Sequence, residues 1–126
     1  MKHLALLAFL TLALSACAKT HANGPPSRNP ASANDGARVY ITNCSSCHQL
    51  DGTGIPGVFP ALAGNAFVTG APGPVIAMVK FGSKTMPAWS GSITDEDIAD
   101  VVTYIRTSWR NRGNPVSEAD VSEVTK

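Results

Sequence analysis

The stretch Cys44-Ser45-Ser46-Cys47-His48 constrains this chain more than any other. Two thiols three residues apart lie one turn apart on a helix and point the same way. So placed, they can add to the two vinyl groups on one edge of a haem. The next residue, His48, then sits under the ring, where its imidazole can bind the iron. C-x-x-C-H in this order is the attachment pattern of a c-type haem. A thioredoxin-like dithiol would need a βαβ setting, which the sequence lacks. A structural zinc would need four ligands. The chain has three cysteines, and the third, Cys17, is explained by the leader.

Residues 1–16 read as an export signal. Met1-Lys2-His3 precedes a short apolar run from Leu4 to Leu14, too short for an ordinary membrane span. The run ends Leu14-Ser15-Ala16-Cys17, which resembles the Leu-small-small-Cys box of bacterial lipoproteins. That resemblance implies that Cys17 carries lipid and becomes the first mature residue. Several acyl chains together anchor durably, where one is marginal. The other reading is ordinary cleavage, leaving Cys17 a free thiol. With Cys17 given to lipid and Cys44 and Cys47 to haem, no cysteine is left for a disulfide. Residues 17–33 are rich in Pro, Gly, Ser and Asn and have no apolar periodicity, which predicts a disordered tether. Pulled straight, such a tether reaches about 55 Å. His21 lies in it and reads as a solvated linker residue rather than a ligand.

Residues 34–126 form one small domain. A first helix is expected over Asp35–Asn43, capped by Asn34 or Asp35, with Gly36, Tyr40 and Ile41 on one face. Gly36 costs helix propensity, which points to a close helix crossing. After His48, Asp51 to Asn65 is full of Gly and Pro yet carries Ile55, Val58, Phe59 and Leu62, as suits a loop packed on a large apolar object. An iron-bound imidazole donates its other N–H to a partner such as a backbone carbonyl. Pro60 is the chosen candidate for that carbonyl; the alternative is a plain turn proline. A short helix ending at Gly82 contains Val75 to Phe81, with Pro74 at its first position and Met78 as core filler. Met86 sits on the following loop, beside Pro87. The domain has one histidine, so bis-histidine ligation within it is excluded, and Met86 is the better candidate for the sixth iron ligand. The alternative is a core methionine with that position open. Trp89 is expected near the haem edge. A third helix should run from Thr94 to Trp109, with Arg106, Arg110 and Arg112 placing positive charge at its C-terminal end. A last short helix should start at Ser117, with Asp120 at its third position.

These motifs together resemble a class I cytochrome c. Cys44 to His48, Pro60-Ala61-Leu62-Ala63-Gly64, Met86-Pro87-Ala88-Trp89 and the Thr94 helix carry the likeness. It is nearest to the haem domains in cytochrome c subunits of bacterial quinoprotein alcohol dehydrogenases, which share Gly57-Val58-Phe59-Pro60 and Thr107-Ser108-Trp109. The resemblance implies an all-α cytochrome c fold, with three to five short helices around one covalent haem c. It implies His48 and Met86 as axial ligands, Pro60 as the partner of His48, and a crossing through Gly36, Tyr40 and Tyr104. The chain departs from those relatives in having one attachment motif where they often have three. It also has Arg110 where a glycine would be expected.

The function expected is electron shuttling rather than catalysis. The alternatives are a haem enzyme or gas sensor with an open iron position, and a haem-free dithiol protein. Redox partners could be a dehydrogenase, a quinol-oxidising complex or a terminal oxidase. The exported lipoprotein would face the periplasm from a bacterial membrane, or lie on the outer face of the cytoplasmic membrane. The net charge of +1 gives no basic field for nucleic acid. Lys80 and Lys84, flanking the Met86 loop, could steer a partner or simply solubilise the surface.

Overall fold

The computed structural model describes residues 33–126. The signal segment, Cys17, and the tether with His21 lie outside the described residues. The chain forms α1 (Ala33–Asn43), α2 (Ser45–His48), α3 (Ala66–Thr69), α4 (Pro72–Phe81), α5 (Asp95–Thr107) and α6 (Glu118–Glu123). Two of these, α2 and α3, are single turns. Among the described residues there is no β-strand, only isolated bridges at Ile55–Phe59 and Ser90–Ile93.

The centre of the fold is the crossing of α1 and α5. A Cβ on Gly36 would fall on the carbonyl oxygen of Asp100 and within 2.8 Å of Tyr104 Cβ. The bare glycine therefore lets the two backbones approach. Tyr40, one turn further along α1, is fully buried. Its hydroxyl donates to the Gln49 carbonyl at 2.6 Å, and burial holds the phenol protonated well above its ordinary range. Its ring meets those of Tyr104 and Trp109 at centroid distances of 5.3 and 5.1 Å. Ile41 does not share this face: it is 57 % exposed, and Val39 takes the inward place. Nor do Asn34 and Asp35 precede the helix, which already begins at Ala33.

The caps of the last two helices match the sequence signals. Thr94 Oγ1 accepts from the Asp97 amide at 3.0 Å. Ser117 and Asp120 form a reciprocal box, with amide bonds of 3.2 and 2.7 Å. Helix α5 stops at Thr107, two residues short of the expected end. Trp109 and Arg110 adopt φ of 49° and 66°, reversing the chain. This turn brings the indole back onto Tyr40, Tyr104 and Gly52, where a Cβ would lie 2.6 Å from the ring. The backbone at Arg110 is thus one that glycine adopts without cost. Pro72, not Pro74, opens α4, because Gly70 and Ala71 separate it from α3. The α3 turn is capped by Asn65 Oδ1, which accepts from the Phe67 amide at 2.9 Å.

Two basic side chains expected on the surface are structural. Arg106 is buried and donates to the carbonyls of Asn114 at 2.7 Å, Val68 at 2.7 Å and Gly70 at 2.9 Å. It ties α3 and the C-terminal strand of chain to α5 rather than serving the helix end. Lys80 is buried too. Its Nζ donates to the Val121 carbonyl at 2.7 Å and lies 3.6 Å from Asp95 Oδ2. Both ammonium and guanidinium are thus satisfied by carbonyls, as buried cations must be.

Gly36→Ala tests the crossing. It should lower the stability of the haem-loaded protein by about 1–3 kcal/mol, read from the denaturant midpoint, because the methyl must push α5 away. An unchanged midpoint would mean the helices separate freely.

Candidate haem site

Helix α1 runs straight into the cysteine motif. The Cys44 amide donates to Tyr40 O at 2.9 Å, and Cys44 O accepts from Cys47 at 3.1 Å and from His48 at 2.9 Å. The two thiols and the imidazole therefore sit on one rigid turn. They line a cavity of about 410 Å³. Its other walls come from the 59–68 segment, from α4, from the Met86 loop and from the inner face of α5, with Val68, Val75, Val79, Val101 and Ile105 as the deepest apolar contributors. Trp89, Met78 and Met86 line it as well. Met78 is thus at the cavity wall rather than in the core alone.

His48 is buried, and its Nδ1 lies 3.0 Å from the Pro60 carbonyl oxygen. A carbonyl cannot donate, so the neutral ring must carry its proton on Nδ1. That leaves the Nε2 lone pair free for a metal. The carbonyl is held by the backbone around it. Ile55 and Phe59 exchange amide bonds of 2.8 Å each way, and Gly54 N donates to His48 O at 3.0 Å. Gly54, at φ 65°, lies so close that a Cβ would be 2.6 Å from the Pro60 oxygen. Asp51 Oδ1 accepts from the Thr53 hydroxyl and amide at 2.7 and 3.1 Å, which lowers the carboxyl pKa and fixes the start of the loop.

Asn111 braces the far end of this loop. Its Oδ1 accepts from Gly64 N at 2.8 Å, and its Nδ2 donates to Leu62 O at 2.9 Å and to Ile105 O at 2.7 Å. Nothing in the sequence singled it out, since a lone asparagine after a helix reads as a turn residue. The methionine loop is pinned just as locally. Ser83 N donates to Met86 O at 2.9 Å, and Met86 N donates to Ser83 Oγ at 3.2 Å. Gly82, at φ 69°, presses on the backbone of Met86, Pro87 and Ala88.

Cys44 differs from the reactive cysteine of a redox dithiol. Catalytic C-x-x-C cysteines have depressed pKa values of about 3.5–7.5. Burial, and then the neighbouring Cys47, push Cys44 up to about 11. The donor set also fits a haem. Imidazole nitrogen and thioether sulfur are both haem-iron ligands, the walls are apolar, and two thiols stand one turn apart.

Comparison with known proteins agrees. Residues 31–105 match the family model described as cytochrome C oxidase, cbb3-type, subunit III. The cytochrome c subunit of the quinone alcohol dehydrogenase of Gluconobacter oxydans (strain 621H) is 36 % identical over 104 residues, covering 72 % of this chain and 22 % of that protein. The chain therefore spans about a fifth of the length of that relative. Cytochrome c-552 of Thermus thermophilus is 34 % identical over 90 residues, covering 60 % of this chain and 68 % of that protein. Among solved structures, cytochrome c6 of the diatom Phaeodactylum tricornutum superposes with a TM-score of 0.53 at 27 % identity, over 62 % of this chain and 94 % of that one. The fold is that of a small cytochrome c. The chain belongs to the cytochrome c family of cbb3-type domains, a family with covalently bound haem c.

Asn111→Leu keeps the branched outline of the side chain but removes three hydrogen bonds and leaves Gly64 N without its side-chain partner. It should cost the loaded protein about 2–4 kcal/mol in thermal or denaturant unfolding. A loss below about 0.5 kcal/mol would show that the 62–64 loop needs no brace.

Proposed function

We propose that this chain is a membrane-tethered cytochrome that shuttles single electrons, with His48 and Met86 as the axial ligands of its haem. Bound haem c supplies a one-electron iron couple. Cys44 and Cys47 would hold the porphyrin by thioether bonds. His48, oriented through its Nδ1–H to Pro60, would present Nε2 to the iron, and Met86 would present its sulfur. The carrying observation is that these groups converge on one apolar cavity while each is fixed by its own hydrogen-bonded loop. Ligands held in advance need not rearrange when the charge changes, and apolar walls keep water from the iron. A thioether ligand favours the reduced ion and raises the potential.

Met78 shares the cavity, so the choice between the two methionines is testable. Met78 is one residue of a regular helix. Met86 stands on a loop whose backbone is clamped at Ser83 and Gly82. Met86→Ala should abolish the methionine–iron charge-transfer band, lower the midpoint potential and open the ferrous protein to carbon monoxide. Met78→Ala should leave the band in place. The reverse pattern would make Met78 the ligand, and rapid carbon monoxide binding by the unaltered protein would favour the haem enzyme or gas sensor.

The Leu14-Ser15-Ala16-Cys17 box supports a lipid on Cys17, with the folded domain held on the periplasmic side of a bacterial membrane. The named role of the Gluconobacter oxydans relative supports a dehydrogenase as one redox partner. The other partner would be a quinol-oxidising complex or a terminal oxidase. Native protein should fractionate with membranes and carry acyl mass at Cys17, whereas Cys17→Ala should lack that mass. Unacylated native protein would remove the anchor.

A further inference from the structure

Tyr40 reaches both ends of the cysteine motif. Its backbone carbonyl accepts from the Cys44 amide at 2.9 Å, and its hydroxyl donates to the carbonyl of Gln49, the residue after His48, at 2.6 Å. The ring between these two groups is fully buried and packed on Tyr104 and Trp109. The next carbonyl, Leu50 O, accepts from Trp109 Nε1 at 3.3 Å. Two side chains of one aromatic cluster thus grip the two carbonyls that follow His48. Gln49 needs that grip. It stands at φ 63° and ψ 157°, a combination kept essentially for glycine, so any other residue is strained there. The reversal it makes brings the loop back. Gly52 N donates to Gln49 O at 3.1 Å, and Gly54 N to His48 O at 3.0 Å. Gly52 O then accepts from Leu62 N at 2.7 Å and from Ala63 N at 3.0 Å, just beyond Pro60.

We infer that Tyr40 is a positioning residue for His48: its hydroxyl holds Gln49 in the strained reversal and so keeps the Pro60 carbonyl on His48 Nδ1. The inference deepens the electron-carrier reading and rests on His48 as an iron ligand. An imidazole whose Nδ1–H is held by a carbonyl is the more basic ligand, and a more basic ligand favours the ferric ion. The Tyr40 hydroxyl therefore lowers the midpoint potential, acting through the backbone of Gln49. The same reading gives a reason for the left-handed turn at Trp109, with φ 49°: it returns the indole to the second carbonyl.

The test uses the full-length haem-loaded protein in detergent micelles. NMR of the ferrous form gives the rate at which the His48 Nδ1 proton exchanges with water, and a redox titration gives the midpoint potential. Tyr40→Phe keeps the ring and removes only the hydroxyl. It should speed that exchange about tenfold, because the turn opens more often, and it should raise the midpoint potential. Amides of α6, which packs on α4 and α5 rather than on α1 or α2, should keep their native rates. Adding Gln49→Gly should bring both values back towards those of the unaltered protein, because glycine takes up the reversal without strain. Adding Gln49→Ala should not, since alanine leaves the strain in place. Native exchange and potential in Tyr40→Phe would overturn the inference. So would equal acceleration at the α6 amides, or rescue by Gln49→Gly no better than by Gln49→Ala. In the ferric protein, hyperfine-shifted ring protons report that His48 binds the iron. If they are present while Tyr40→Phe changes nothing, this inference alone falls; if they are absent, the axial role of His48 falls with it.

Discussion

One hydrogen bond sets the terms for the rest of this fold: the contact from His48 Nδ1 to the Pro60 carbonyl. It joins the end of the cysteine turn to a loop that has no regular structure of its own. A loop rich in glycine and proline holds a carbonyl in place only if its other backbone groups are occupied. Ile55 and Phe59 close one side, Gly54 gives the room, and Asn111 reaches from beyond α5 to hold Leu62 and Gly64. The α1–α5 crossing in turn fixes where Asn111 and the cysteine turn stand relative to each other. Packing far from the cavity thereby decides the angle of one imidazole.

The molecule divides its labour by charge. The helices that build the frame carry acids and bases, with Asp95, Glu96 and Asp97 in the first turn of α5 and an acid box opening α6. The segment that surrounds the cavity carries almost none. An apolar ring would lose the protection of its walls if ions and their water stood among them, since charge is costly to bury without a partner.

Much of this was legible in the sequence, because the informative signals were local. The thiol spacing, the capping box at Ser117 and the cap at Thr94 depend on residues within one turn. Gly36 was readable as well, since a helical glycine without a packing reason is a needless cost. What was not legible depended on long-range partners. Lys80 and Arg106 look like surface charges until carbonyls from distant elements are found waiting for them. Ile41 stands about 140° round the helix from Gly36, and it is Val39 on the other side of Tyr40 that turns inward. Trp109 continued the helical spacing, but its packing on Tyr40 and Gly52 outweighed the continuation and bent the backbone into the left-handed region.

The buried Lys80 has a further meaning for the molecule as a whole. Its backbone carbonyl accepts from Ser90 N, and that of Val79 from Trp89 N, so this short piece of α4 holds the segment that follows Met86. Its ammonium, meanwhile, ends on the last turn of α6. Tail and the segment after Met86 are therefore both moored to Lys80. Fraying or proteolytic trimming of α6 would leave the ammonium with Asp95 as its one named partner, and the loss would be felt in the segment that follows Met86.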